Sequence, residues 1–408
     1  MKILLYLFIY IALSNLLFAD TKDSNATLNR LEDKAEQEII SIISLISQQK
    51  TDLALKKAEQ LHKSAPNFHL GQLIHSDLLL NRSNTLNNFF VFEKDNLKKD
   101  NYLAELGARV DSVNLQKMTN QSTPDNFDFF SADIAYILAF DYTKSRLYLF
   151  QNKASDQQTV SLKLIADQYL SIGQQGALKQ IEGDKKSPIG VYRITAFIED
   201  NNLPELYGWG AFPINYPNRW DKKLSRTGSG IWLHGVPRSQ YSRPPQSSRG
   251  CLVVSNNFLQ ELSRYIGINT PMLLAKSINW TKSGDKKDSQ LINYLKLWHN
   301  SWLRKDLTTF SKLYAPEFFK GEEHKKQWLT NKSKLLSSIT ASKIIFNLSQ
   351  ISIMHYPNEA NLVSVNFQVE YQYNNHSQAV KNQQYWTQQY WQKNNYGLWQ
   401  IIDEEIEK

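Results

Sequence analysis

This 408-residue chain has a single cysteine, Cys251. One thiol excludes an internal disulfide and any site built from several cysteines, so stability must come from packing. Histidine is scarce as well. His234 stands alone between His75 and His299, and the others are scattered over the flanks without metal-ligand spacing. No metal and no cofactor is expected. After the first stretch, Ile3 to Leu17, no apolar run is long enough to cross a membrane, and that one falls short of the roughly twenty residues a span needs. Lys and Arg outnumber Asp and Glu by 47 to 39. The charges are dispersed and no basic-aromatic motif gathers them, so nucleic acid is not an expected partner.

Met1 and Lys2 open a short basic region before the apolar run, and Ala19 offers a small residue ahead of Asp20. Residues 1–19 therefore read as a secretory signal peptide. Retention as an uncleaved anchor is the alternative, because Leu17 is large for a cleavage site. An exported chain of this kind is expected in the periplasm of a Gram-negative envelope. Loss of residues 1–19 removes only Lys2, taking the formal charge from +8 to +7. That balance suits anionic surroundings such as cell wall, lipid head groups or acidic peptides.

The lone thiol and the lone central imidazole are separated by one loop, within Ile231-Trp232-Leu233-His234-Gly235 and Ser248-Arg249-Gly250-Cys251. These are the two groups a cysteine nucleophile needs: the sulfur attacks, and the imidazole takes and later returns a proton. A lone cysteine is also commonly a small buried hydrophobe, so the surroundings matter. Gly250 lets the backbone turn sharply before the thiol. The N–H groups of Gly250 and Cys251 are expected to face a developing oxyanion. Leu252-Val253-Val254 reads as a short buried strand, and Ser255 as the N-cap of a helix carrying Phe258, Leu259, Leu262 and Ile266, stopped by Gly267.

His-Gly, a loop, then Ser-x-Gly-Cys resembles the L,D-transpeptidase catalytic domain, also called the YkuD domain. Upstream, the segment from Glu182 to Tyr192, with Gly183, Ser187-Pro188 and Gly190, is similar to that family's Gly-x-x-x-(Thr/Ser)-Pro-x-Gly-x-(Phe/Tyr) pattern, and a hairpin around Asp141 to Ser145 agrees. The resemblance covers residues 133–275. It implies a mostly β domain in which Cys251 is the nucleophile and His234 the general base. Gly235 then supplies a carbonyl that orients the imidazole, Ser248 and Gly250 fill fixed motif places, and Arg249 a variable one. Many members carry arginine two residues after the cysteine, where this chain has Val253. Arg238, Arg243 or Arg249 is a candidate substitute cation; solvated loop charge is the alternative for each. Tyr207 and Trp209, with Arg243, are candidate substrate-binding residues, and Leu203 to Trp220 a candidate lid.

The flanks differ from the centre. Residues 20–126 are Pro-poor with apolar residues at helical spacing. Asp52 to Leu61, Ala65-Pro66-Asn67 and a run to Leu80 resemble one tetratricopeptide-like unit, or equally an ordinary helical hairpin. Residues 276–290 read as a polar linker. From 291 on, amphipathic helices over Leu291 to Tyr314 and Gln327 to Ile339 precede alternating runs at Lys343 to Met354, Leu362 to Tyr373, Lys381 to Gln392 and Leu398 to Ile402. Helices followed by a curved antiparallel sheet resemble the cone of nuclear-transport-factor-two-like domains. Trp386, Tyr390 and Trp391 either line a sugar-binding surface or pack within the sheet. The fold class expected is multidomain α+β: a helical N-terminal region, a mostly-β catalytic domain and an α+β cone.

The resemblance implies attack on an L-centre to D-centre amide of a peptidoglycan stem tetrapeptide, with D-alanine expelled and a thioester left on Cys251. Transfer to an amine of another stem is L,D-transpeptidation, the family's default. Transfer to water is L,D-carboxypeptidation, the activity of cell-shape enzymes pairing this domain with such a cone. A catalytically silent wall-binding scaffold, with homodimer or wall-enzyme contacts through the flanks, is the reading from a different class.

Overall fold

The computed structural model describes residues 31, 33–82, 90, 93–119, 122–154, 161–282, 290–320, 323–338, 345–374 and 380–407. The expected signal at 1–19 lies outside them.

Among the described residues four helices lead: α1 (Lys34–Ser47), α2 (Thr51–Ser64), α3 (His69–Arg82) and α4 (Asn96–Thr119). Asp33 starts the first by accepting from the N–H groups of Ala35 and Glu36, which answers two otherwise orphaned donors. Ile39, Ile42 and Ile43 of α1 meet Ala54, Ala58 and Leu61 of α2 in one apolar core, the three-and-four spacing of a buried stripe. The turn at Ala65-Pro66-Asn67 separates α2 from α3, where proline resists further helix.

Next come β1 (Ser122–Pro124), β2 (Phe127–Phe130), β3 (Tyr136–Asp141), β4 (Arg146–Asn152), β5 (Leu162–Tyr169), β6 (Ile172–Gly173) and β7 (Gly190–Arg193). They are followed by β8 (Ile198–Glu199), β9 (Gly210–Pro213), α5 (Arg219–Lys223), β10 (Trp232–His234), β11 (Gln246–Ser248), β12 (Leu252–Val253), α6 (Asn256–Leu262), β13 (Pro271–Ala275) and β14 (Trp280–Lys282). A five-stranded sheet runs β5-β4-β3-β13-β7 and a four-stranded one β12-β10-β9-β8. The hairpin at Asp141 to Ser145 is present, closed by the Lys144 N–H donating to the Asp141 carboxylate at 3.0 Å. Leu138, Phe140, Leu147 and Leu149 point between the two sheets. Their neighbours Ile137, Ala139, Tyr148 and Phe150 point to the opposite side, into a second core shared with Met354, Tyr356, Tyr390 and Ile402. Burial on both faces explains why these strands read as continuous apolar runs rather than alternating ones.

The last third holds α7 (Gln290–Leu303), α8 (Leu307–Lys312), β15 (Phe319–Lys320), β16 (Glu323–His324), α9 (Lys325–Ser338), β17 (Ile345–His355), β18 (Leu362–Asn374), β19 (Val380–Lys393) and β20 (Trp399–Glu407). The helix expected over 291–314 is broken, because Asp306 caps a new start by accepting from Thr309 N–H at 3.0 Å. Val363, Val365, Phe367 and Val369 face Leu295, Trp298 and Trp302, the period-two pattern the sequence carries. Trp386, Tyr390 and Trp391 are buried, so they pack rather than offer a sugar-binding surface.

Two boundaries differ from expectation. The segment expected as linker from 276 contains β14, whose Trp280 sits edge-on to Tyr148 at 5.0 Å. β14 pairs with β1, a strand inside the stretch expected to be helical. β2 joins neither neighbour in sequence. It pairs with β17 as the edge of the C-terminal sheet β2-β17-β18-β19-β20.

A buried ionic cluster ties the helices to the β-rich middle domain. Glu36 accepts from Arg146 Nη1 at 2.7 Å and lies 3.4 Å from Arg109 Nη1; Arg109 Nη2 reaches Glu105 at 2.8 Å, and Arg146 Nε reaches Asp167 at 2.6 Å. Every member is almost fully buried, and the carboxylates hold both guanidinium pKa values above the ordinary one despite burial. Replacing one partner leaves a buried charge uncompensated. Glu36→Gln is expected to cost about 3–5 kcal/mol, read as a lowered midpoint in urea unfolding. An unshifted midpoint would show that the cluster does not hold this interface.

Candidate functional site

β10 and β12 are parallel neighbours, with Leu233 opposite Leu252 and His234 opposite Val253. Leu233 and Leu252 are fully buried in the core between the sheets. Alternation then turns Trp232 and His234 to the other face. Continuing the register one residue back sets Cys251 beside Trp232, on that same face. Consistent with this, the Trp232 N–H points at the sulfur. Imidazole and thiol thus come from adjacent strands about two residue rises apart, roughly 6.6 Å along the sheet.

The turn before the thiol is tightly held. Gly250 has φ +123°, and a Cβ there would lie 2.8 Å from the Lys186 carbonyl. Ser187 Oγ donates to the Gly250 carbonyl at 2.9 Å and accepts from Gly173 N–H at 3.0 Å. Its Ser-Pro motif therefore fixes the cysteine loop from below. Ser248 Oγ donates to the Cys251 carbonyl at 2.7 Å and accepts from Gly250 N–H at 3.1 Å. This corrects one expectation: the Gly250 N–H is engaged by Ser248 and does not face an oxyanion. The thiol is partly exposed and donates to the Gly230 carbonyl at 3.5 Å. Ser255 caps α6 as expected, but that helix ends at Leu262, short of Gly267.

His234 is 2% exposed, and its Nδ1 lies 2.6 Å from the Gly235 carbonyl. A carbonyl only accepts, so Nδ1 carries the proton and Nε2 presents its lone pair. Burial above all, with the nearby Arg243 charge and against the hydrogen bond to the Gly235 carbonyl, lowers the imidazole pKa to about 4. Tyr207 covers the ring edge-on at 4.9 Å and packs on Trp232 at 4.8 Å with the rings tilted by 43°. Its carbonyl accepts from Gly235 N–H at 3.1 Å.

Asn256, which sequence reasoning missed, staples this corner. Its Oδ1 accepts from Trp209 N–H at 3.0 Å and Val236 N–H at 3.1 Å, while Nδ2 donates to the Val236 carbonyl at 2.7 Å. A Cβ on Gly235 would stand 2.0 Å from that oxygen, so only glycine fits. The sequence signal was a polar amide on the first turn of a helix whose cap, Ser255, was already supplied. Trp209 contributes its backbone to the staple; its ring packs on Phe197 at 5.5 Å. The segment expected as a lid is thereby pinned at Tyr207 and Trp209, and at its far end Trp220 packs on Tyr390 at 5.7 Å.

Of the three candidate cations, Arg238 pairs with Asp200 at 2.6 Å on the exposed surface and Arg249 is exposed. Arg243 is the one placed at the site. It is half-buried, reaches the Leu206 carbonyl at 3.4 Å, and its charge favours the thiolate of Cys251. Val253 is buried in register with His234, on the same strand face as Cys251, so the family's arginine place holds an uncharged side chain here. Lys179, also missed, adds a second positive charge near the sulfur while pairing with Asp184 at 2.9 Å. Burial nonetheless outweighs these cations and the Trp232 N–H, and the thiol pKa is raised. Thiol and imidazole are therefore both uncharged at neutral pH, and proton transfer must accompany attack rather than precede it. Among the described residues, no group of three His, Cys, Asp or Glu side chains is arranged to hold a metal. No described helix is long and apolar enough to cross a membrane.

Comparisons with known proteins identify two domains in the chain. Residues 135–274 match the L,D-transpeptidase (YkuD) catalytic domain, and residues 290–405 match the Cds6 C-terminal NTF2-like domain. The chain carries these two domains behind its N-terminal helices. Among solved structures it is similar to Bd1075 of Bdellovibrio bacteriovorus, at 26% identity and TM-score 0.55 over 70% of this chain and 98% of that one. It is also similar in fold to the helical cell shape determining protein Pgp2 from Campylobacter jejuni, at 23% identity and TM-score 0.54 over 69% of this chain and 95% of that one. No curated protein gives a significant match.

With an uncharged resting pair, alkylation of Cys251 by iodoacetamide is expected to be slow at pH 7 and to gain rate beyond pH 9, the ordinary thiol value. In the same protein, the acid limb of kcat/KM should fall near pH 4, where the buried imidazole protonates, rather than near 6.5. An alkylation rate already level below pH 7 would reveal a thiolate–imidazolium pair and overturn this description.

Proposed function

We propose that the chain is a peptidoglycan-modifying cysteine enzyme that releases D-alanine from stem tetrapeptides and passes the resulting thioester to water, an L,D-carboxypeptidase activity serving cell shape. The observation that carries the chemistry is the fixed register of Cys251 and His234, with the imidazole tautomer set by the Gly235 carbonyl. Nε2 takes the thiol proton as sulfur attacks the amide carbonyl. With the Gly250 N–H engaged by Ser248, the Cys251 N–H is the motif donor left to meet the oxyanion that forms. The C–N bond then breaks, and the imidazolium returns its proton to the leaving amine, leaving acyl-Cys251. Water, deprotonated by the same imidazole, attacks the thioester and restores the thiol.

Water is favoured over an acceptor amine by one feature: Tyr207 is pinned over the imidazole. A second peptide strand must pass this fixed wall, whereas water need not. The likeness in fold to a protein described as a helical cell shape determinant supports only the cell-shape part of the proposal. L,D-transpeptidation, the sequence-based expectation, differs only in the group that resolves the thioester. Export to the periplasm belongs to this proposal, since stem peptides lie there.

Incubating the purified protein with tetrapeptide muropeptides and weighing the products separates these outcomes. Tripeptide and free D-alanine alone are expected; cross-linked dimers would replace hydrolysis by transfer. Cys251→Ala should abolish turnover, and His234→Ala should lower it by about 10²–10⁴-fold, the usual range for loss of a general base. Undiminished turnover in either variant would refute the assignment of Cys251 and His234, whereas none in the wild type would leave the silent-scaffold reading standing.

A further inference from the structure

The loop between the two reactive groups is held by the helical domain as much as by the catalytic one. Tyr241 is buried in the core of α1–α4, its ring 4.6 Å from Phe68, and its hydroxyl donates to Asp33. The Tyr241 N–H donates to the Asn67 carbonyl at 3.1 Å, and Ser242 Oγ donates to Glu105 at 2.6 Å. From the catalytic side, the Tyr169 hydroxyl donates to the Arg243 carbonyl at 2.8 Å, and Ile172 N–H donates to the Pro245 carbonyl at 2.8 Å. The backbone on both sides of Arg243 is thus fixed.

Its guanidinium is not. Five N–H donors are available in a planar fork, and the structure gives them one long contact, to the Leu206 carbonyl at 3.4 Å. Among the described residues no carboxylate forms a salt bridge with Arg243. A half-buried, carboxylate-free guanidinium beside Tyr207, which covers the catalytic imidazole, lacks the partner its geometry fits best, a carboxylate bound through two parallel hydrogen bonds.

We infer that Arg243 is a specificity-determining residue that docks the free α-carboxylate of the departing residue, restricting cleavage to the last peptide bond of the donor. This rests on the proposed peptidase reading. The imidazole must hand its proton to the departing amine, and one carbon joins that amine to the carboxylate, so the carboxylate lies next to the imidazole. The Arg243 guanidinium reaches the carbonyl of Leu206, next to Tyr207 whose ring covers the imidazole, which places it at that point. In this chain the loop cation takes up a task that Val253, buried in β12, cannot perform.

The test uses a synthetic stem tetrapeptide ending in D-alanine and the same peptide as its C-terminal amide. The wild type is expected to prefer the free acid by about 10- to 100-fold in kcat/KM, the range of a hydrogen-bonded charge. Arg243→Gln should collapse that preference towards unity, chiefly by raising KM for the acid, and Arg243→Lys should restore part of it. An unshifted urea-unfolding midpoint in the Gln variant checks that the fold around the site remains assembled. Equal wild-type turnover of acid and amide, or an equal loss on both in Arg243→Gln, overturns the inference while leaving the thiol chemistry intact. Turnover of neither peptide by the wild type would bring down the peptidase reading and this inference with it.

Discussion

The parallel pairing of β10 with β12 is the constraint on which the site depends. Two groups at opposite ends of a loop act on one carbonyl only if their strands cannot slide. A slip of one residue would turn His234 into the core and expose Leu233. Leu233 and Leu252, both fully buried, fix the register. The small residues around them serve the same end. Gly250 and Gly235 sit where a side chain would collide with Lys186 or Asn256, and Ser187 and Ser248 tie the cysteine turn from two directions. The cost of this rigid, dry placement is electrostatic, since burial moves thiol and imidazole pKa values apart from the ion-pair regime.

Neither flank is an appendage. The helical domain supplies Asp33, which accepts from Ser255, the cap of α6, at 3.1 Å and from Gln168 at 3.0 Å. The same carboxylate receives Tyr241 from the loop that bears Arg243. One buried acid therefore links the first helix, the helix after the thiol and the loop between the reactive groups. On the opposite side, the five-stranded sheet buries its outer face against Met354, Tyr356 and Tyr390. There Arg219 pairs with Asp403 at 2.9 Å, holding α5 to the C-terminal sheet.

Much of this was legible in the sequence because it is written in local chemistry. Glycine before the thiol, Ser-Pro upstream and alternation in Leu362 to Tyr371 each report a backbone state or a face. The strands of the C-terminal sheet were legible to within a few residues for that reason. Contacts between distant segments leave no such local mark. Nothing around Phe127 to Phe130 says that its partner is β17, more than two hundred residues later. Nor does Asn256 differ in sequence from any polar first-turn residue. Arg238, Arg243 and Arg249 were equivalent by proximity, and only the fold, which pairs the first with Asp200, exposes the last and anchors the loop at Tyr241 and Ser242, singled out the middle one. The broken helix at Asp306 was missed because its apolar spacing continues across the break.

The placement of β2 also sets an order in time. The edge strand of the C-terminal sheet is synthesised before the whole catalytic domain, while its partner β17 follows that domain. A chain made from its N-terminus must therefore carry Phe127, Phe129 and Phe130 unpaired until the last domain emerges. The long separation makes this a slow, high-contact-order closure. The β1–β14 pair shortens the search, because it brings the two ends of the catalytic domain together. Folding of the middle domain is in this sense the step that delivers the first strand of the third.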